Sequence, residues 1–191
     1  MDKIKGMRLS DIVLLMLQAN GGSLRGKTLA QKRAYFLNQF LQLGIPFVPH
    51  YYGPYSAELD YAIERCKALG FIEEKSMHFG VKKQGFEIRR YDYNLTPDGM
   101  EVVNNLLQRY PSECQKIIDV LQNISHTDKD DYMILSIAAK ALHILQTEGR
   151  PMTEKEIINE ARQFGWEISE QAIDNAAEVL VKLGLVKKDE S

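Results

Sequence analysis

The segment Tyr52-Gly53-Pro54-Tyr55-Ser56 limits the folds open to this chain more than any other feature, because it joins an apolar loop to the start of a helix. Pro54 suits the first position of a helix, where its missing N–H has no partner to lose, and Gly53 has the backbone freedom to turn into it. The next residues carry apolar side chains at helical spacing up to Gly70, which predicts a helix at 56–69. Two segments of strand character follow, and together these features predict a winged-helix fold.

The first half is predicted to follow the element order of a winged helix-turn-helix domain. Apolar residues at three- and four-residue spacing indicate helices, and Thr96 before Pro97 is typical of a helix N-terminus. Two strand-like segments around a turn indicate a two-stranded wing. The predicted helices lie at 9–19, 28–43, 56–69 and 97–109, and the predicted wing has strands at 71–75 and 86–95 around a turn at 80–85.

The second half is predicted to repeat this architecture in shorter form. Thr153 and Glu156 have the spacing of a capping box, and Gly184 opens a segment that resembles the first strand of a wing. The predicted helices lie at 112–123, 132–148, 153–164 and 169–183, and the predicted strand lies at 184–188. We therefore expect a mainly α (α+β) fold of two tandem winged-helix-turn-helix-like domains, an N-terminal domain at 1–109 and an acidic C-terminal domain at 110–191.

Three motifs of the first half carry a resemblance to a known family. They are Arg25-Gly26-Lys27-Thr28-Leu29-Ala30-Gln31-Lys32, Tyr35-Phe36-Leu37, and Tyr52-Gly53-Pro54-Tyr55-Ser56 followed by Leu59. Over roughly the first 105 residues the chain resembles the YwgA-like family of small prokaryotic proteins, and it is more distantly similar to the Panacea (SocA-like) antitoxin domain. The chain departs from the contiguous Leu-Gln-Lys of that pattern at Ala30. The resemblance implies a winged-helix-like fold and, for the Panacea relatives, a protein that binds other proteins or neutralises toxins.

The net charge of the chain is divided unevenly between its halves. Residues 1–95 carry 14 Lys and Arg against 9 Asp and Glu, whereas residues 96–191 carry 10 against 17. Lys and Arg provide most of the affinity for DNA by neutralising phosphates, so the first half is the candidate for DNA binding. The residues predicted to contact nucleic acid are Arg25, Lys27, Lys32, Arg33, Lys82, Lys83, Arg89 and Arg90. The alternative is that these charges keep a hairpin soluble, protect its edge or face a protein partner.

The second half is too acidic to meet a duplex. Its last two helices carry six carboxylates that would repel phosphates, at Glu154, Glu156, Glu160, Glu170, Asp174 and Glu178. Because winged-helix scaffolds also serve functions other than DNA reading, we expect this half to dimerise or to dock a partner.

The aromatic cluster around residue 50 is predicted to be a contact surface. His50 has hydroxyl neighbours but no nucleophile, orienting carboxylate or metal-ligand set, so we expect no enzymatic activity and no metal or other cofactor. Tyrosines beside Gly-Pro can also simply pack a loop onto a core. Tyrosine is enriched in protein-binding hot spots, and the predicted protein-contact residues are Tyr51, Tyr52 and Tyr55.

Two hypotheses of function remain open from the sequence. One is a cytoplasmic regulatory protein that binds double-stranded DNA through its first half and forms a homodimer or recruits a partner through its second. The other is a protein-binding adaptor or antitoxin-like module with no DNA binding. A continuous basic face containing Lys32, Arg33, Lys82, Lys83 and Arg90 would favour the first, and scattering of these residues would favour the second.

Compartment and thiol state follow from simpler features. No apolar run approaches the roughly 20 residues that span a bilayer, and the N-terminus lacks the pattern of a signal peptide, so no membrane partner is expected. Cys66 and Cys114 lie singly in predicted helices, which predicts buried free thiols.

Overall fold

The computed structural model describes Ile4 and residues 6–81, 87–128 and 132–187, with side chains described except at 78–81, 87–89 and 126–128. This part of the chain is mainly helical, with a small antiparallel sheet. In chain order the elements are α1 (Leu9–Ala19), β1 (Ser23–Arg25), α2 (Lys27–Leu41), α3 (Ala57–Ala68), β2 (Ile72–Val81), β3 (Glu87–Leu95), α4 (Pro97–Arg109), α5 (Pro111–Asp128), α6 (Tyr132–Glu148), α7 (Glu154–Gln163) and α8 (Glu170–Lys182).

Side-chain caps set where several helices begin. The Ser56 hydroxyl accepts a hydrogen bond from the Leu59 N–H at the start of α3, and the Thr96 hydroxyl caps α4 in the same way with Pro97 at its first position. At α7, Thr153 and Glu156 form the predicted capping box. These contacts satisfy N–H groups that have no partner inside the helix. The starts of α4 and α7, which were predicted from these residues, are therefore confirmed.

The sheet has three strands in the order β1-β3-β2, and both pairings are antiparallel. Strands β2 and β3 occur where two strands were predicted, at 71–75 and 86–95, and Ile72 lies opposite Leu95. Strand β2 is longer than predicted, because it continues to Val81 into the predicted turn at 80–85. The predicted turn between them includes residues 82–85, which lie outside the described residues. Strand β1 was not predicted, because three residues after Gly22 are too short to show a period.

Four predictions of local structure were wrong. Pro54 precedes the helix instead of opening it, since Ser56 is the N-cap of α3. Helix α2 ends at Leu41, because Gln42 adopts a left-handed conformation with φ 49°. Helix α5 continues past residue 123, where Ile124 extends its buried face. At 184–187 no strand forms within the described residues, since the Leu185 N–H closes the end of α8 on the Leu180 carbonyl at 2.9 Å; Lys188 lies outside them.

Buried apolar residues from both halves form one hydrophobic cluster. Helix α5 packs against α1 and α2, and α6 packs against α2 and α8. Leu15 and Phe36 of the first half are fully buried, as are Ile117 and Leu135 of the second. The division at residue 109 stays a prediction, but the helices on its two sides share a core.

Two further findings concern the helices and thiols. Within the described residues, no helix has both the length and the apolar character that crossing a membrane requires.

Cys66 and Cys114 are free and buried, which confirms the prediction for both thiols. Burial, the largest cause, raises the pKa of the Cys66 thiol to about 11, so this group is protonated at neutral pH.

Candidate functional site

Residues 48–55, here called the tyrosine loop, connect α2 to α3 and close on themselves. The backbone groups of Val48 and Tyr55 exchange two hydrogen bonds of 2.9 Å. Between them, the Gly53 N–H donates to the His50 carbonyl at 2.9 Å, and Gly53 has φ +97°. A residue with a Cβ is strained in that conformation, so Gly53 is needed for the turn.

Two adjacent residues of α2 hold the end of the tyrosine loop. The Gln31 side chain accepts from the Ser56 N–H at 2.8 Å and donates to the Ser56 carbonyl at 3.0 Å. The Lys32 amine donates to the Pro54 carbonyl at 2.7 Å. The Gln-Lys and Gly-Pro-Tyr-Ser motifs, far apart in sequence, therefore meet in one contact.

Side chains from the second half of the chain bind two further carbonyls of the loop. The Ser136 hydroxyl of α6 donates to the Tyr52 carbonyl at 2.9 Å. The indole N–H of Trp166, in the turn between α7 and α8, donates to the His50 carbonyl at 2.7 Å. Three carbonyls of the loop are thus bound by side chains from α2, from α6 and from the turn between α7 and α8.

The tyrosine loop presents its tyrosines to solvent. Tyr51 is 72% exposed and Tyr52 is 57% exposed, and their ring centroids lie 4.8 Å apart in an edge-to-face arrangement. Val48 beside them is also exposed. Tyr55 is half-buried, and its hydroxyl donates to Asp60 of α3, which is the largest cause that raises its pKa to about 12.

A cavity of about 310 Å³ lies between the tyrosine loop and α2. Lys27 and Lys32 line it from the helix, and His50, Tyr52 and Tyr55 line it from the loop. Lys32 is only 1% exposed. Burial, and to a smaller degree the nearby charge of Lys140, lower the pKa of the Lys32 amine to about 7.

Lys32 and Arg33 were predicted to contact nucleic acid, but both side chains are buried in the folded chain. Every residue of α2 from Leu29 to Leu37 is buried. Helices α5 and α6, strand β1 and the tyrosine loop pack against α2. Arg33 donates to the Asn20 side chain inside this packing.

The other predicted basic residues differ in their exposure and in their partners. Lys27 is half-exposed and pairs with Asp60, and Arg90 pairs with Asp92 through two hydrogen bonds of 2.7 and 2.8 Å. Arg25 is exposed, and with Arg90 it lines a polar cavity of about 460 Å³. Arg89 lies on β3 with its side chain outside the described residues, and Lys82 and Lys83 lie outside them entirely.

One of the six acids that were predicted to form an acidic surface in the second half is bound within the fold. Glu156 belongs to the capping box, and its hydrogen bonds to Thr153 and Arg150 lower its pKa to about 2. Of the other five acids, Glu154, Glu170 and Glu178 are exposed, and Glu160 and Asp174 are half-buried. Three of the six carboxylates on α7 and α8 are thus exposed.

The site also contains residues that sequence reasoning missed. Asp60, Ser136, Lys140 and Trp166 contact the tyrosine loop or the cavity beside it, but none lies in a motif that indicates this. Trp166, the single tryptophan of the chain, was the one available signal. Among the described residues, no group of three or more His, Cys, Asp or Glu side chains has the arrangement of a metal site.

Comparison with known proteins does not extend this description: no family model matches the chain, and no curated protein is similar to it.

Proposed function

We propose that the protein is a protein-binding adaptor module and that the tyrosine loop is its contact surface. One observation carries the proposal: Tyr51 and Tyr52 are exposed at the tip of a loop whose backbone is held by Gln31, Lys32, Ser136 and Trp166. The resemblance to the Panacea antitoxin domain, whose relatives bind proteins, agrees with this function.

The physical reason is the low entropic cost of binding through such a loop. A partner that docks on an already fixed backbone does not have to order it, and less of the interaction energy is lost. Tyrosine adds a large contact area with a polar tip and is enriched in hot spots. Tyr51 and Tyr52, with Val48 beside them, provide these properties in one place.

We further propose that each half is a winged-helix-like unit. In the first half, the order α1, β1, α2, α3, β2, β3 and the antiparallel pairing of β2 with β3 support this assignment. In the second, α7 and α8 are joined by a tight turn at Gly165. The exposed carboxylates on these two helices support a docking or dimerisation role there over contact with a duplex.

DNA binding is the second candidate function, and one observation favours it. Arg25 and Arg90 line the same polar cavity beside the sheet, next to Asn20 and Ser23. Two guanidinium groups beside the same cavity are suited to binding a phosphate group. The first function is better supported, because Lys32 and Arg33 are buried and the described partners of Lys27 and Arg90 include carboxylates.

Photo-crosslinking tests the adaptor function. With p-benzoylphenylalanine in place of Tyr51, we expect cross-linking to one partner protein in the cells that make this chain. Binding of that purified partner should then weaken at least tenfold in a Tyr51→Ala, Tyr52→Ala variant. Tyr61→Ala is the matched control, because Tyr61 is 71% exposed but lies on α3 outside the loop.

Equal loss of binding in the loop variant and in Tyr61→Ala, or no cross-link from position 51, contradicts the adaptor function.

Fluorescence anisotropy with random-sequence duplex DNA tests the second candidate function, DNA binding. Affinity that falls steeply with salt and is lost in an Arg25→Glu, Arg90→Glu variant would establish phosphate contacts.

A further inference from the structure

Two lysines that flank Gly53 have no acidic partner among the described residues. The Lys32 amine donates to the Pro54 carbonyl, which carries no charge. The Lys140 amine of α6 lies 5.6 Å from the centroid of the Trp166 ring. A Cβ added at Gly53 would lie 3.1 Å from the Lys140 side chain and 3.2 Å from the Lys32 nitrogen, so both lysines adjoin the loop backbone.

Lys32 is the more unusual of the two, because it is almost completely buried. An ammonium group that is removed from water needs a counter-charge or it loses its proton. An ammonium has three N–H donors, and the Pro54 carbonyl occupies one of them. Lys32 also lines the 310 Å³ cavity, so a molecule in the cavity would lie beside this side chain.

The charges around the cavity indicate which kind of ligand it would bind. Lys27 also lines the cavity, but its charge is offset by Asp60, which accepts hydrogen bonds from Gln31 and Tyr55 as well. The uncompensated charge at the wall is therefore that of Lys32, since Lys140 lowers the pKa of Lys32 but does not line the cavity. One such cation at the wall matches one negative charge, which favours a carboxylate over a phosphate dianion.

The remaining walls suit the body of a small organic molecule. Tyr52 and Tyr55 contribute rings from the loop, and the His50 ring lies 4.9 Å from that of Tyr55. Thr28 adds a hydroxyl from α2. A volume of about 310 Å³ is at the lower end of the range for ligand sites.

We propose that this cavity is a binding site for a small organic carboxylate, whose charged group is held by the Lys32 amine and whose apolar body packs against Tyr52 and Tyr55. The proposal is independent of the adaptor function, since it requires no partner protein. It assigns to Lys32 a ligand role in addition to its hold on the loop.

The site has a defined pH dependence. The titratable and charged groups that face Lys32 are Lys140 from α6, Lys27 from α2, Asp60 from α3, and His50, Tyr52 and Tyr55 from the loop. Only the protonated amine binds a carboxylate strongly, and without ligand its pKa is about 7. The dissociation constant should therefore rise about tenfold from pH 6 to pH 8.

An NMR titration of the full-length protein with benzoate tests the proposal. We expect amide shifts centred on Gly53 and Tyr55, a weaker response to the neutral analogue benzyl alcohol, and a smaller response to inorganic phosphate than to benzoate. In Lys32→Met the dissociation constant should rise at least tenfold. Lys155→Met removes the same charge from an exposed position on α7 and should bind as the wild type does.

Several results would overturn the proposal. They are equal binding of benzoate and benzyl alcohol, shifts that are centred elsewhere, tighter binding of phosphate, and a dissociation constant that does not change between pH 6 and pH 8. The pH series uses the wild-type protein, so an unchanged dissociation constant overturns the proposal even where Lys32→Met fails to fold. None of these measurements involves the partner protein of the adaptor function.

Discussion

At the scale of single residues, Lys32 shows how the fold changes the chemistry of a side chain. Lysine is ordinarily a solvated cation, and for that reason the sequence pattern placed Lys32 on a basic surface. In the folded chain it is buried between α2 and the tyrosine loop, and its pKa is lowered to about 7, first by burial and then by Lys140. The same packing brings the Lys32 amine within hydrogen-bond distance of the Pro54 carbonyl.

The lowered pKa of Lys32 predicts how stability depends on pH. Between the folded pKa of about 7 and the unfolded value of 10.5, the unfolded chain binds the proton that the folded chain has released. The free energy of unfolding therefore rises with pH, by about 2 kcal/mol between pH 7 and pH 9. Urea unfolding at both pH values measures this rise.

Two variants isolate the contribution of Lys32. Lys32→Met removes the titrating amine and should abolish the rise, whereas Lys155→Met on the surface of α7 should retain it. A rise of the same size in Lys32→Met would show that another group causes it.

At the scale of elements, the caps were predictable and the close contacts were not. In the sequence, Thr96 and Pro97 indicate the start of α4. The sequence does not show that the Thr96 hydroxyl also donates to the Gly70 carbonyl at 2.7 Å, or that the Thr96 N–H donates to the Phe71 carbonyl at 3.1 Å. These bonds bring the first turn of α4 against the chain that enters β2.

Gly99 is the residue that permits this approach. A Cβ at position 99 would lie 2.1 Å from the Phe71 carbonyl oxygen, so Gly99→Ala must move the helix or the strand. Overpacking of this kind costs at least about 2 kcal/mol. Thermal or urea unfolding measures the loss.

The neighbouring Asp98→Ala is the matched control for Gly99→Ala. Asp98 is exposed on the same helical turn, so its substitution changes stability by less than about 1 kcal/mol, mainly through the helix dipole. Equal effects of the two substitutions would show that α4 does not approach β2 closely.

At the scale of the whole molecule, the shared core predicts that both halves unfold together. Leu15 of α1 is fully buried in the cluster that includes Ile117 of α5 and Trp166 of the second half. Leu15→Ala removes buried methyl groups from the first half and should cost roughly 2 to 5 kcal/mol.

Trp166 reports this loss from the other half of the chain, since it is the single tryptophan. The midpoint of urea unfolding followed by its fluorescence should fall in Leu15→Ala and should coincide with the midpoint from far-UV circular dichroism. Leu69→Ala makes the same change at a half-exposed position and should shift the midpoint little. An unchanged fluorescence midpoint in Leu15→Ala would show that the halves unfold separately.

The sequence by itself determined where most helices begin and where β2 and β3 lie, because caps, glycines at helix ends and apolar spacing act over a few residues. The bounds of α1 and α4 agree with prediction for this reason, as does the capping box of α7. Only the tertiary structure decided which faces are covered, since burial depends on elements that are distant in sequence. It buried both faces of α2, paired β1 with β3, and brought Lys32 and Trp166 to the tyrosine loop.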